Sequence, residues 1–449
     1  MNWQQLLSTQ RFKVENGEVI RTATRSTAEG KNVLRTDFHI DYDRVVFSGS
    51  FRRLGRKTQV HPFAKHDLTH NRLTHSVEVA SVGRSLGNQV GVMLEKLGHL
   101  PDGYTPSDIG SIVQVACLSH DMGNPPFGHT GEAALRDWFR QPENNNYLQC
   151  LSKKELADVQ TYEGNAHTLR IVANLEMYRH QGGMRLTAAS IGTLMKYPWT
   201  ANAHRAKEKG KFNIYQTELP FIEETANELG LPKIARNTWA RHPLSYLMEA
   251  ADDICYALLD LEDAVEIGML DAREVERLFA PMAGETVDSW SATTDRQRCA
   301  MLRGIAIGKA IDSVANTFIT HHTALLAGDF PAKDLISVTE AEISETLANA
   351  KEIAANQVFR HESKVITEIA AYPCLGSILS LFIPTAFALT TKKALNHRQI
   401  LALSLLGEHT INENDTPYAA YMKVLDFVGG MTDNAAARMA REVSGIGMV

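Results

Sequence analysis

Apolar residues recur at three- and four-residue intervals over most of the chain, and strict alternation is rare, so the pattern predicts helices almost throughout. Leu73, Val77, Ala80 and Leu86 open a helix over about 71–98. Leu247, Ala251, Ile254, Cys255, Leu258 and Leu259 supply the packing face of another over about 243–268. Further helices are predicted near 39–56, 107–120, 130–140, 152–176, 186–196, 271–280, 296–327, 338–356, 360–371, 396–407 and 416–442. Asn144 to Asn146 and Ala201 to Lys211 read as loops, and Phe212 to Tyr215 as at most a small hairpin. The apolar stretch Leu375 to Leu389 is interrupted by Pro384, too short for a bilayer, and reads as a buried helix pair. The first ~35 residues, polar and basic with Arg11, Lys13, Arg21, Arg25, Lys31 and Arg35, read as an extended arm. The expected fold class is all-α, with an arm at 1–35, a core over 36–270 and a helical C-terminal region over 271–449 packed on it.

Composition narrows the class without naming a function. At 449 residues and 44% hydrophobic, the chain can bury a large core. A net charge of −6 offers no global basic field for nucleic acid. The five cysteines are scattered, with no C-x-x-C spacing, which suits reduced thiols in a cytoplasmic protein. The N-terminus lacks a charged segment followed by an apolar run, so neither a secretory signal nor a membrane anchor is expected.

The chemistry concentrates in Ser119 to Glu132, where His120 and Asp121 are adjacent and His129 precedes Glu132 by one helical turn. An imidazole and a carboxylate side by side at a helix end can both reach one cation. Matching donors stand elsewhere: His75 in the first turns of its helix, and the stripe Asp252, Tyr256, Asp260 at i, i+4, i+8 on the 243–268 helix. No Lys or Arg lies between Leu244 and Glu266, so that acidic stripe calls for a cation.

In this order and on separate predicted helices, His75, His120-Asp121 and Asp252 resemble the H…HD…D signature of the HD-domain metal-dependent phosphohydrolases. The likeness extends through Arg52-Arg53-Leu54, Lys57-Thr58-Gln59-Val60, Thr74-His75-Ser76, Tyr162 to Ala166, Met195 to Trp199, Glu249 to Asp253 and Gly430-Met431-Thr432-Asp433. Together these blocks resemble the deoxyguanosinetriphosphate triphosphohydrolases, which implies an HD-domain helical core with an appended helical C-terminal region. The resemblance implies a divalent ion (Mn, Mg, Fe, Co, Ni or Zn) on His75, His120, Asp121 and Asp252. Asp253, next to Asp252, is the alternative ligand. His129 would be general acid or base, with Glu132 orienting it. Arg72 and Lys196 would neutralise the triphosphate. Gln59 and Asp260 would contact the 3′-OH, Tyr256 would pack on the sugar, and His167 would line the phosphate site.

The reaction implied is hydrolysis of a deoxynucleoside triphosphate to deoxynucleoside and inorganic triphosphate. Two alternatives stay open: an HD phosphohydrolase acting on another nucleotide phosphoester, and a nucleic-acid-responsive module in which Arg21, Arg25, Lys31, Lys207 and Lys209 bind single strands. The resemblance also implies a homo-oligomer, such as a hexamer, with the Gly430 to Asp433 segment contributing to a neighbouring subunit.

Overall fold

The computed structural model describes residues 1–15, 17–22, 35–59, 70–176, 182–284, 294–359 and 362–446. Helices dominate, and the fold is all-α as expected. Among the described residues, strands are confined to two antiparallel pairs, β1 (Arg11–Glu15) with β2 (Glu18–Thr22) and β3 (Lys233–Ala235) with β4 (Thr238–Trp239). Eight helices carry the argument. They are α1 (Arg72–Lys96), α2 (Pro106–Ser119), α3 (Gly128–Arg140), α4 (Gly164–Arg170), α5 (Pro243–Glu266), α6 (Glu362–Thr390), α7 (Pro417–Gly429) and α8 (Asp433–Val443).

Capping fixes where α1 and α2 begin. The Asn71 side chain accepts from the Leu73 and Thr74 amides while Thr74 Oγ1 accepts from the Asn71 amide, so α1 starts at Arg72 and His75 lies in its first turn. Thr105 and Asp108 cap α2 likewise, and its last turn ends at Ser119, leaving His120 as the C-cap. Glycines then bring the two antiparallel helices into backbone contact. A Cβ on Gly87 would stand 2.8 Å from Gly110 Cα, and one on Gly91 2.7 Å from Pro106 Cα. A third, on Gly83, would stand 2.5 Å from Cys117 Sγ. This 83-87-91 stripe permits a close approach, and it sets the start of α1 beside the end of α2.

Two buried apolar clusters organise the rest. One gathers α1, α2 and α5 with later helices out to Val358; the other gathers α3 with α6, α7 and α8. The expected helix pair at Leu375–Leu389 is instead a single helix, α6, running through Pro373 and Pro384. Each proline removes one backbone donor. The helix persists because Leu375, Ile378, Leu379, Phe382, Ile383 and Ala386 are buried in the second cluster. By length and composition Lys364–Thr390 could cross a bilayer, yet half of its most apolar window is buried inside the protein, which accounts for its apolarity.

Three other expectations are corrected. The N-terminal segment is not an extended arm over its described part: Trp3, Leu6, Leu7 and Phe12 are buried, and β1–β2 form a hairpin. Arg11 anchors it with a bond to Asp37 at 2.9 Å and another to Asp41, a use of basic charge that composition could not reveal. The loops at 144–146 and 201–211 contain short helices, Asn145–Leu148 and His204–Lys209. Arg25 and Lys31 lie outside the described residues.

Candidate active site

The ends of α1 and α2 and the middle of α5 meet at one point. His75 and His120 have ring centroids 5.7 Å apart, and Asp252 Oδ1 stands 3.2 Å from His75 Nε2 and 3.5 Å from His120 Nε2. Asp121 Oδ1 lies 3.5 Å from His120 Nε2, and donor atoms of His75, His120 and Asp121 all fall within 4.8 Å of one another. Ligands bound at about 2.0–2.2 Å from one cation sit roughly 3–3.5 Å from their neighbours, so these spacings fit an ion between them. The tautomer fits too. His120 Nδ1 donates to the Cys117 carbonyl at 2.6 Å, which leaves the Nε2 lone pair facing the carboxylates. Burial disfavours a charged His120, but Asp121 and Asp252 outweigh it and push the imidazole up to about 9, so with no cation a proton occupies Nε2, and a divalent ion bound there would displace it. Asp253 does not join the cluster; its carboxylate pairs with Lys351 at 3.0 Å.

The Asp121 carboxylate is held from behind. Asp121 accepts from Arg72 Nη1 at 2.6 Å and from the Asn124 side chain. Burial works against its charge, yet Arg72, His120 and His75 hold it down to about 2. At the start of α1, His70 bonds Asp263 of α5 at 2.6 Å and Glu78 at 3.0 Å. Burial again opposes the charge, and the two acids raise His70 to about 10, tying α1 to the end of α5 about three turns beyond Asp252.

The loop from Asp121 to Phe127 is pressed against α4. A Cβ on Gly123 would stand 2.0 Å from the Thr168 amide, and the Gly123 amide donates to Thr168 Oγ1 at 2.8 Å. Phe127 takes the left-handed conformation at φ 65°, and α3 starts at Gly128. One residue on, the exposed His129 ring meets Glu132 Oε2 at 3.1 Å. Glu132 is buried, and its other oxygen accepts from the Gly164 amide at 2.7 Å. Desolvation disfavours the anion, but the His129 bond, Lys211 and Arg136 pull it down to about 2. A carboxylate so fixed can hold Nδ1–H of His129 and leave Nε2 for proton transfer.

Beside this point runs a cleft lined by Thr58, Gln59, Arg72, Gly128 and His129 on one side and by Lys364, Thr367 and Glu368 of α6 on the other. Buried polar atoms without a hydrogen-bond partner among the described residues include Gln59 Oε1, Arg72 Nε, Asp260 Oδ2 and both ring nitrogens of His167, whose Nε2 lies 4.0 Å from Asp426 Oδ1. Such atoms are ordinarily satisfied by a protein group, water or a ligand, so those of Gln59 and Arg72 in the cleft lining can accept a ligand contact. Asp260 is pushed up to about 8, chiefly by burial and then by Asp263, with the Lys364 charge opposing. Tyr256, half-buried on the same face of α5, has its ring 6.0 Å from Phe359.

Of the expected substrate-contacting residues, Gln59 and Arg72 line the cleft, while Tyr256, Asp260, Lys196 and His167 do not. Lys196 pairs with Glu249 at 3.2 Å, a carboxylate shared with Arg241. It remains cationic, since Glu249, Asp252 and Asp253 more than offset the burial that disfavours its charge. His167 is sealed beneath the loop against Tyr162, with burial pushing it down to about 3. The sequence reading also missed one wall. Lys364, Thr367 and Glu368 recur at three and four residues, which does place them on one helix face, but nothing in their spacing ties that face to His129. Among the basic residues considered for nucleic acid, Arg21 is paired with Glu228 at 2.9 Å, while Lys207 and Lys209 are exposed.

Comparison with known proteins agrees with this geometry. The HD domain family matches residues 72–188, from the start of α1 past α4. A deoxyguanosinetriphosphate triphosphohydrolase-like protein of Pseudomonas aeruginosa is 42% identical over 99% of both chains. One of the same description from Synechocystis sp. is 35% identical over the full length of each. The deoxyguanosinetriphosphate triphosphohydrolase of Klebsiella pneumoniae is 31% identical, covering 79% of this chain and 78% of its own. With two imidazoles and two carboxylates converging inside the matched domain and beside it, the chain belongs to the deoxyguanosinetriphosphate triphosphohydrolase-like family, and its HD domain marks it as a metal-dependent nucleotide phosphohydrolase.

Proposed function

We propose that the protein hydrolyses deoxynucleoside triphosphates, of which dGTP is the type, to deoxynucleoside and inorganic triphosphate. The observation that carries this reading is the meeting of His75, His120, Asp121 and Asp252 beside a cleft that holds unsatisfied polar atoms of Gln59 and Arg72. Those four side chains would hold a divalent ion, Mn, Mg, Fe, Co, Ni or Zn. When bound, such an ion polarises a phosphoryl oxygen and favours ionisation of water.

The protein's own groups then divide the remaining work. Water attacks the α-phosphorus, the bond to the 5′ oxygen breaks, and His129 moves a proton to that leaving oxygen or from the attacking water, held in one tautomer by Glu132. Arg72 keeps Asp121 ionised and retains a free Nε for a phosphate oxygen. Lys196 adds charge from the side of Glu249, and His167 would offer a neutral imidazole to the phosphates if the loop above it yields. Gln59 Oε1 is an acceptor without a donor, and the carboxyl of Asp260, pushed up to about 8, can donate or accept, so both suit a 3′-hydroxyl. Tyr256, four residues before Asp260, would crowd the 2′ carbon.

The space within the cleft is about 90 Å³, well below the ~300 Å³ of a small ligand pocket, so it would take only part of a nucleotide. Self-association belongs to the same reading, supported by the exposed Val365, Ile366, Ile369 and Tyr372 on α6. We place the enzyme in the cytoplasm.

The test is product analysis. Mn²⁺-loaded protein incubated with each dNTP and NTP should release intact tripolyphosphate from deoxynucleotides alone, and His120→Ala should release none. Orthophosphate or pyrophosphate as the product would refute the reaction, and equal turnover of GTP and dGTP would refute the sugar selection.

A further inference from the structure

The corner between α7 and α8 lies about 300 residues from the His129 loop in sequence, yet it touches both segments that form the near wall of the cleft. Asp433, buried at 3% exposure, accepts through Oδ2 from the Thr58 amide at 2.9 Å and from Thr58 Oγ1 at 2.6 Å. Its Oδ1 accepts from the Phe127 amide at 3.0 Å. Thr58 precedes Gln59, and Phe127 comes two residues before His129. A single carboxylate therefore spans the backbone of the two strands of chain that present Gln59 and His129.

A second tie runs parallel to it. Lys57 Nζ, fully buried, donates to the Asn124 carbonyl at 2.6 Å and to the Gly429 carbonyl at 2.7 Å. The corner approaches closely enough that a Cβ on Gly429 would stand 2.7 Å from Tyr162 Oη. Both ties are made within one chain.

We infer that Asp433 is a positioning residue for the reaction: it holds the left-handed turn at Phe127, and with it His129, in register with Gln59. The inference rests on the reaction proposed above. A non-glycine residue at φ 65° needs external support to stay there, and a charge-assisted bond to its amide supplies it. Small displacements of a proton-transfer group cost turnover steeply, on the order of 100-fold per ångström. Metal affinity should not follow, because Asp121 is held by Arg72, which Asp433 does not touch.

The test compares full-length wild type, Asp433→Asn and, as a control for loosening α7 alone, Asp415→Asn, whose partner is Lys423 at 2.6 Å. Amide hydrogen exchange should rise in Asp433→Asn over residues 54–59 and 124–130 and stay unchanged elsewhere in the first 270 residues. Turnover of dGTP should fall by about tenfold or more, while Mn²⁺ affinity measured by calorimetry stays within about twofold. Asp415→Asn should show neither effect. Unchanged exchange in Asp433→Asn, or raised exchange with wild-type turnover, would overturn the inference, as would the same losses in Asp415→Asn. A wild type that hydrolyses no dNTP would defeat the substrate reading instead, and the exchange comparison would still decide the clamp.

Discussion

At the scale of single residues, function depends on which atom of each side chain is already engaged. His120 gives Nδ1 to a carbonyl and keeps Nε2, whereas His129 meets Glu132 through Nδ1 and is otherwise exposed. His129 therefore carries little of the fold, and His129→Ala should lower kcat by about 10²- to 10⁴-fold without moving Tm or Mn²⁺ affinity. Wild-type turnover in that variant would remove His129 from the mechanism. The adjacent pair His120-Asp121 and the His129-x-x-Glu132 pair were legible because their chemistry lies within a few residues of chain. The i, i+4, i+8 stripe favoured Asp252 over Asp253 without excluding the latter. Only the helix phase of α5 turns one toward the imidazoles and the other toward Lys351.

At the scale of elements, helices were legible from periodicity, and their breaks were not. The helix expected at 39–56 restarts at Ser48, that at 152–176 restarts at Glu163, and that at 416–442 restarts at Thr432. Each break sits at a side chain that caps the next helix, a signal present in the sequence but outweighed by continuous apolar spacing. The glycine stripe of α1 was equally visible and unread. Because it sets the distance from α1 to α2, Gly87→Ala should destabilise the protein by about 1–3 kcal/mol and weaken Mn²⁺ binding at the same time. Calorimetry showing unchanged metal affinity would break that link.

A second prediction for an element concerns Asp158, fully buried under α7. Burial pushes it up to about 8, although the Gln216 amide and the Tyr418 hydroxyl both donate to it. The folded carboxyl thus binds its proton more tightly than the unfolded one, whose pKa is about 3.9. Stability from this group is greatest in acid and is lost as pH rises from about 4 to about 8. Asp158→Asn should therefore gain Tm over wild type, with a gain that grows from pH 5 to pH 8. A difference that stays constant across that range would show that the carboxyl does not titrate there.

Across the whole molecule, residues from Thr58 to Asp433 contribute to one region, and most of these long-range meetings have no signature in local sequence. The docking of the N-terminal segment through Arg11 and the α6 wall of the cleft belong to this class. The same helix that lines the cleft exposes Ile366 and Ile369 at 60% and 66%, an apolar surface next to the proposed site. Light scattering should find an oligomer for the wild type and a smaller species for Ile366→Glu/Ile369→Glu; a monomeric wild type would refute self-association.

The central claim is that His75, His120, Asp121 and Asp252 together hold one divalent ion. Crystals soaked in Mn²⁺ and measured at the manganese absorption edge test it most directly. The account predicts a single strong anomalous peak per chain, within about 2.0–2.4 Å of a nitrogen or oxygen from each of the four residues. No peak there, or a peak that persists in His120→Ala, would contradict it.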